Sequence, residues 1–287
     1  MRTPTMSRRT TLAGLAGAGA SLALTRRAKA APDADLWPRW EAHSPDATRE
    51  PDHGAWGEFL TRYLKNGGDG INRVAYADVT DADRDALKRY LDAMAGVVPA
   101  DLTRDAQFAY WVNLYNALTV DTVLDHAPVD SIRDIDISPG WFSDGPWGKK
   151  LVTVDGADLS LDDIEHRILR PIWRDPRVHY AVNCAALGCP NLRPRPFTAD
   201  RLETMLDDGA RAYVNHPRGA RMTGDGLVVS SIYVWFQADF GGDDAGVIAH
   251  LKRYADSGLT AKLAEAEGIA DHGYDWTLND AASGQAS

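Results

Sequence analysis

Two cysteines that lie five positions apart mark the stretch of the sequence best suited to chemistry. Cys184 and Cys189 are the only cysteines of the 287-residue chain. The apolar run at residues 178–183 predicts a short buried strand, and Cys184 would stand at its end, where folds often place reactive groups. A cysteine becomes a strong nucleophile once a nearby base has removed its proton. Cys184 is therefore our candidate for a catalytic nucleophile.

The base that would activate Cys184 has several candidates. On a straight strand, His179 and Cys184 would point to opposite faces, which weakens their direct pairing. We take His179 and His166 as the candidates for a base or an orienting group. The other histidines that could serve are His216, His250 and His272.

Two further roles for the cysteine pair stay open. His179, Cys184 and Cys189 could bind a metal ion, because the gap between the cysteines falls in the usual range for ligands. No second pair of Cys or His follows at ligand spacing, however, so we predict neither a metal nor a cofactor. The cysteines could instead be structural, either as a loop disulfide or as buried free thiols.

Two asparagines lie within the strongest predicted helix, at residues 105–127. Asn113 and Asn116 would be costly to bury without hydrogen-bond partners. Either they tie loops to the helix, or Asn113 polarises a substrate and Asn116 contacts it. Trp111, on the aromatic stripe of the same helix, is a further candidate for substrate contact.

Three acidic residues stand beside histidine or aromatic residues. Glu165 precedes His166 on a predicted helix, where adjacent side chains diverge by about 100° and do not form a dyad. Asp239 and Asp275 are each flanked by aromatic residues. An apolar surrounding could raise the pKa of the carboxyl group and make it a proton donor. Alternatively, the carboxylate could have a structural role and accept a hydrogen bond from a tryptophan N–H. The substrate-binding candidates in these segments are Glu165, Trp235, Asp239, Asp275 and Trp276.

The chain lacks the GxSxG, HExxH, GxxxxGK and GxGxxG motifs, so the hydrolase, metalloprotease and nucleotide-binding classes that use them are unsupported.

The elements that must position these residues are mostly helices. Residues 105–127 are apolar on nearly every side, which predicts a buried central helix. The predicted strands are short, and a hairpin turns at Asp155-Gly156, followed by a helix that Ser160 and Asp163 would cap. We therefore predict an α+β fold, a helix-rich single domain over residues 51–280 with a small, mainly antiparallel sheet, and a tail at 281–287.

The first thirty residues have the layout of an export signal. Six basic residues and no acid occur at residues 1–30, around a short apolar core, and Ala28-Lys29-Ala30 fits a cleavage site. The pair Arg8-Arg9 resembles a twin-arginine signal. We predict a signal peptide at 1–30, a linker at 31–50 and a mature protein in the periplasm or secreted. Loss of the six basic residues takes the net charge from −10 to −16, which argues against nucleic-acid partners and against stable membrane insertion after cleavage.

Several motifs together resemble the family called domain of unknown function 547. The run at residues 108–118 resembles its opening motif, residues 160–170 its second, and residues 175–185 with Cys189-Pro190 its third. Residues 232–240 and 274–279 are similar to its closing elements, so the resemblance spans residues 105–280. The family's name implies no activity, and it therefore assigns no catalytic residue.

These observations lead to two expectations for function. The first is an exported cell-envelope protein that hydrolyses an amide or peptide by thiol-dependent or acid–base chemistry, which would make it a cysteine-type hydrolase if the thiol reacts. The second is a non-catalytic binding module whose aromatic cleft holds a small ligand or peptide. Whether the protein is an enzyme stays open at this point, and in both cases the partner is an unknown small molecule or peptide.

Overall fold

A computed structural model of the protein describes residues 32–140 and 144–284. The predicted signal peptide at residues 1–30 lies outside the described residues, and so does the end of the predicted tail. The fold that follows is built from the described ranges alone.

A long buried helix organises the first half of the fold. The helices α1 (Gly54–Tyr63) and α2 (Asp81–Ala95) precede α3 (Arg104–His126). The Thr103 hydroxyl caps α3 by accepting a hydrogen bond from the Ala106 amide, at 3.2 Å. Every residue of α3 from 106 to 120 is buried. The predicted central helix is thus confirmed.

The strands are short and form three small sheets. The first is β1 (Leu64–Asn66) with β2 (Asn72–Val74), and the second is β3 (Val152–Val154) with β4 (Ala157–Leu159). The third contains β5 (Ala220–Thr223), β6 (Gly226–Ser230) and β7 (Ile269–Gly273). All pairs are antiparallel except β6 with β7, which run parallel. At the tip of the β3–β4 hairpin, Asp155 and Gly156 both have positive φ, as a tight two-residue turn requires.

Short helices fill the second half of the chain. A π-helical segment, Asp163–Leu169, continues into α4 (Arg170–Trp173). It is followed by α5 (Val178–Ala181), α6 (Leu202–Val214), α7 (Ser231–Trp235), α8 (Asp244–Tyr254) and α9 (Ser257–Leu263). This composition confirms the predicted helix-rich α+β domain with small, mainly antiparallel sheets. Within residues 32–140 and 144–284, no helix is both long and apolar enough to cross a membrane.

The strand predicted at residues 178–183 is wrong. The structure has the helical turn α5 there, and only Val182 onward is extended. The Asp175 carboxylate accepts a hydrogen bond from the Arg177 amide, and Pro176 at the next position favours the first turn of a helix. A short apolar run cannot by itself distinguish a buried strand from a buried helical turn.

Helix α5 lies between two hydrophobic cores. The first core surrounds α3 and includes Val178 and Ala181, whereas the second surrounds Tyr213, Tyr233 and the helix α8 and includes Tyr180. Neighbouring residues of one turn thus pack into different cores. The buried polar residues discussed next gather at this junction.

Candidate functional site

The π-helical segment places three polar side chains together. Ser160 begins this helical stretch as predicted, because its hydroxyl accepts from the Asp163 amide and its own amide donates to the Asp163 carboxylate. The segment then winds with hydrogen bonds to the fifth residue rather than the fourth, so residues four and five apart both fall near one face. Glu165, His166 and Arg170 therefore project towards the same region, and all three are buried.

Asp239 joins two basic side chains at the centre of the cluster. Its Oδ2 accepts a hydrogen bond from Nε of Arg170 at 2.6 Å and lies 2.7 Å from Nε2 of His179. Arg170 and His179 are almost completely buried, whereas the Asp239 side chain is 22% exposed. A buried charge is tolerated when it is paired and hydrogen-bonded, and here a single carboxylate pairs with both basic side chains.

Glu165 lies between the two imidazoles of the cluster. Its Oε1 is 3.7 Å from Nδ1 of His179 and 3.9 Å from Nδ1 of His166, which are ion-pair distances but too long for hydrogen bonds. Nη1 of Arg170 donates to Nδ1 of His166 at 3.1 Å. Because arginine has only donors, that nitrogen of His166 must be the unprotonated one.

These surroundings drive the pKa values of the two histidines apart. Burial lowers the pKa of His166 to about 4, although the Glu165 charge opposes this, so the ring is neutral. Burial would also lower the pKa of His179, but the hydrogen bond to Asp239 and the charge of Glu165 outweigh it and raise the pKa above its usual value. Two histidines with opposite shifts around one carboxylate form a potential acid–base arrangement.

Both carboxylates of the cluster are held in the ionised form. Burial opposes the charge on Glu165, but the His179 imidazole and the Arg170 guanidinium lower its pKa. Burial likewise opposes the charge on Asp239, and the hydrogen bonds from His179 and Arg170 bring its pKa well below the usual range. Of the two alternatives left open for Asp239, the proton donor does not fit, because Asp239 is an acceptor in the structure.

Phe236 forms one wall of the cluster. Its ring stacks on His179 with centroids 4.4 Å apart, and the Arg170 guanidinium lies 4.6 Å from the ring centroid. Phe236 and Asp239 are only half-buried, unlike Glu165, His166 and His179. The open side of the cluster is therefore the side that Phe236 and Asp239 form.

The lead-in segment, residues 32–37, covers another side of the cluster. Arg170 donates a hydrogen bond to the Pro32 carbonyl at 2.7 Å, and the Asp35 amide donates to the His166 carbonyl at 3.0 Å. The Arg167 guanidinium lies 4.5 Å from the ring centroid of Trp37. The chain just after the predicted cleavage position thus contacts the site directly.

The two cysteines contact each other and Tyr274. The Cys184 thiol donates to the Cys189 sulfur at 3.0 Å, and the Cys184 amide donates to the same sulfur at 3.0 Å. The Tyr274 hydroxyl is in hydrogen-bond contact with the Cys184 sulfur, also at 3.0 Å. The hydrogen bond to Cys189 and burial raise the pKa of Cys184, whereas the hydrogen bonds from Cys184 outweigh burial and lower the pKa of Cys189.

An amide network fixes the loop that carries the cysteines. Asn116 donates to the Ala181 carbonyl and accepts from the Asn183 amide, at 2.9 and 2.8 Å. Asn183 accepts from the Ala185 amide at 2.9 Å and receives a bond from Asn279 at 3.3 Å. Ala185 has a φ of 58°, a strained conformation for a residue with a side chain. Asn116 thus orients the loop through its backbone.

Four half-buried aromatic side chains flank the cysteines. The Tyr274 ring lies 5.0 Å from Trp235 and 4.7 Å from Trp276, and Trp276 lies 5.6 Å from Trp147. Trp235 immediately precedes Phe236, so consecutive residues contact this aromatic group and the histidine cluster. The predicted cleft residues Trp235 and Trp276 are therefore brought together beside Cys184.

Three other predicted site residues are used differently. Asn113 bonds both ends of its amide to the Phe197 backbone, at 2.8 and 2.9 Å. Trp111 is completely buried and packs edge-on against Trp40. Asp275 is exposed and accepts from the Thr277 amide. Among the described residues, no group of three or more His, Cys, Asp and Glu side chains could hold a metal ion, and His179, Cys184 and Cys189 form no such set.

Three residues that complete the site, Arg170, Phe236 and Tyr274, are evident in the structure but not among the candidates that the sequence offers. Arg170 follows His166 by four positions, and that helical spacing is a signal that could have found it. Phe236 and Tyr274 belong to the aromatic motifs, but nothing in the sequence distinguishes them from the neighbouring aromatic residues. Their contacts with His179 and Cys184 depend on the tertiary fold.

One comparison with known proteins gives a match. Residues 99–214 match the model of the family described as "Protein of unknown function, DUF547". The match supports the resemblance to domain of unknown function 547. Within the DUF547 match lie Glu165, His179 and Cys184, whereas Asp239 and Tyr274 follow it in the chain. No curated protein and no solved structure matches the chain.

Proposed function

We propose that this protein hydrolyses an amide or peptide bond by general acid–base catalysis at the histidine cluster. The observation that carries the proposal is the pairing of His179 with Asp239 at 2.7 Å through Nε2, which leaves Nδ1 of His179 facing Glu165 at 3.7 Å. A carboxylate that orients an imidazole through one nitrogen leaves the other nitrogen for proton transfer.

The residues of the cluster have separate tasks in this proposal. His179 holds the proton that a leaving amine would take up. Asp239 orients His179, and Arg170 keeps Asp239 ionised through its own hydrogen bond of 2.6 Å. Glu165, whose pKa is lowered, is an acceptor that can polarise a water molecule or a substrate N–H. The aromatic group of Trp235, Tyr274 and Trp276 offers a binding surface for the rest of a substrate.

The acid–base form of the hydrolase is better supported than the thiol-dependent form. Both hydrogen bonds of the Cys184 sulfur go to Cys189 and Tyr274, and its pKa is raised rather than lowered. Attack on an amide carbonyl by a cysteine needs a base in contact to take the thiol proton, and neither partner of the Cys184 sulfur is a histidine or a carboxylate. Water is therefore the nucleophile in the proposal.

A second proposal concerns the location of the protein. We propose that it is exported to the periplasm or secreted by the twin-arginine route, on the basis of the sequence at residues 1–30. Mass spectrometry of the protein from its native host tests this, since a mature chain should begin at Ala31. A chain that still begins at Met1 would contradict export with cleavage.

The test of hydrolysis is an assay on a defined library of short peptides and acylated amines, with products detected by mass spectrometry. We expect the native chain to cleave at least one member, and His179→Gln to lower kcat by about 10²-fold or more. His43→Gln, which changes an exposed histidine, should keep the native rate. Unchanged turnover in a folded His179→Gln variant would overturn the proposal, as would no cleavage of any library member.

A further inference from the structure

The proposed function makes no use of the two cysteines, although their sulfurs lie 3.0 Å apart. We propose that Cys184 and Cys189 are a redox-active dithiol that exchanges with small disulfides, with Cys184 as the attacking cysteine and Cys189 as the resolving cysteine. The inference rests on their own contacts and is independent of the histidine cluster.

The contact between the two sulfurs is the first argument. They are 3.0 Å apart and belong to one tight loop, so a bond between them needs little movement of the backbone. The loop is held by the Asn116–Asn183–Asn279 network and is crossed by hydrogen bonds from Leu187 and Gly188 to the segment that carries Tyr274. The pair is therefore positioned for exchange before any reagent arrives.

Unequal exposure of the cysteines is the second argument. Cys184 is half-buried, whereas Cys189 is 4% exposed. Cys184 is thus the cysteine nearer the surface, and in the proposal it forms the first bond with a reagent. Cys189 lies directly behind it, where a resolving cysteine has to be.

The charge distribution around Cys189 is the third argument. Its sulfur accepts hydrogen bonds from the Cys184 thiol and the Cys184 amide, and the positive charge of Arg218 also lowers the pKa of Cys189. A thiolate is the reactive form in disulfide exchange. The bond from the Cys184 thiol is lost once Cys184 has reacted, but the Cys184 amide and the Arg218 charge still favour the Cys189 thiolate for the second attack.

The exchange can be written with its atoms and electrons balanced. The ionised fraction of Cys184, which its raised pKa makes small, attacks one sulfur of a small disulfide RSSR, the S–S bond of the reagent breaks, and RS⁻ leaves and takes up the proton that Cys184 lost. The Cys189 thiolate then attacks the Cys184 sulfur, the mixed disulfide breaks, and a second RS⁻ leaves and takes up a proton. Two cysteine thiols are oxidised to one disulfide, and RSSR is reduced to two thiols.

The experiment uses the folded chain and oxidised glutathione as the probe. After incubation and acid quenching, intact mass spectrometry of the native chain should show the loss of two hydrogens and no retained glutathione. Cys189→Ser should retain one glutathionyl group, mapped by peptide digestion to Cys184. Cys184→Ser should stay unmodified while folded, because Cys189 is buried. Dithiothreitol should restore both thiols of the native chain without denaturant.

Several outcomes would overturn the inference. One is a native chain that keeps both thiols in oxidised glutathione. Another is equal modification of the two serine variants. A third is a disulfide that dithiothreitol cannot reduce until the protein is unfolded, since this would make the bond a structural crosslink. If a serine variant fails to fold by circular dichroism, early quenching of the native chain decides the question, because the transient mixed disulfide must map to Cys184.

Discussion

Nε2 of His179 lies 2.7 Å from Oδ2 of Asp239, a residue 60 positions later in the chain. The contact connects α5 to the turn that follows α7, and it does so between the two hydrophobic cores. Because Arg170 shares the same carboxylate oxygen, one carboxylate holds two buried basic side chains. The pairing should therefore matter for stability as well as for proton transfer.

Removal of the Asp239 charge should destabilise the fold. Asp239→Asn leaves Arg170 and His179 buried without their counter-charge, and loss of one partner of a buried pair is costly. Since Asp239 is 22% exposed, we expect a decrease of about 2–3 kcal/mol in the free energy of unfolding, at the low end of such effects. Urea denaturation followed by circular dichroism measures the change.

Asp155→Asn is the matched control for this substitution. Asp155 pairs with Arg39 at 2.8 Å, but both side chains are largely exposed, and surface pairs contribute less than about 1 kcal/mol. Asparagine also tolerates the positive φ of this position. If both variants lost the same free energy of unfolding, the buried partners of Asp239 would not make its ion pairs more stabilising than a surface pair.

Acidification should weaken the protein between pH 6.5 and about 4. Burial lowers the pKa of His250 to about 4, so in this window the unfolded chain binds a proton there and the folded chain does not. The free energy of unfolding therefore falls as the pH falls. His250→Gln should reduce the slope of the unfolding free energy against pH in this window, by an amount that corresponds to about one bound proton. If His43→Gln reduced this slope as much as His250→Gln does, the pH dependence could not be assigned to His250.

Gly188 should resist substitution by any larger residue. A Cβ atom at this position would lie 2.7 Å from the Asp275 amide nitrogen and 2.9 Å from its carbonyl oxygen. Gly188→Ala must therefore push two backbone segments apart, at a cost of about 1–3 kcal/mol in unfolding free energy. Gly68→Ala, whose Cβ would meet no atom within 4 Å, should change stability by less than about 0.5 kcal/mol. Similar urea midpoints for both variants would refute the steric argument.

Loss of the Tyr274 hydroxyl should make Cys184 harder to ionise. The contact at 3.0 Å lowers the pKa of Cys184, against the larger effects of Cys189 and burial that raise it. In Tyr274→Phe the curve of iodoacetamide labelling rate at Cys184 should move to higher pH. Tyr63→Phe, which removes a hydroxyl bonded to Asp83 instead, provides the comparison. An unmoved or lowered profile in Tyr274→Phe would exclude the hydroxyl as a partner that favours the thiolate.

Local features of the fold were predictable because their causes are local. The Ser160–Asp163 cap, the Asp155-Gly156 turn and the buried helix α3 each follow from a few neighbouring residues. The strand predicted at residues 178–183 was wrong because Pro176 and the Asp175 side chain start a helical turn that the apolar pattern conceals. The fold class did not depend on that segment.

The candidate site was only partly predictable because its members meet through tertiary structure. The four-residue spacing of His166 and Arg170 indicates a shared helix face, but Glu165, five positions before Arg170, joins that face only because the segment is π-helical. The spacing of Cys184 and Cys189 did not predict their contact. That contact depends on a positive φ at Ala185, a residue type that rarely adopts it.

The contact of Arg170 with the Pro32 carbonyl has a practical consequence for anyone who prepares this protein. A purification tag fused directly ahead of residue 32 would end beside the Arg170 guanidinium, which is hydrogen-bonded to Asp239. It could crowd the site that an assay is meant to probe. A tag at the opposite terminus avoids this conflict, and an inactive sample that carries an amino-terminal tag should be tested again after the tag is removed.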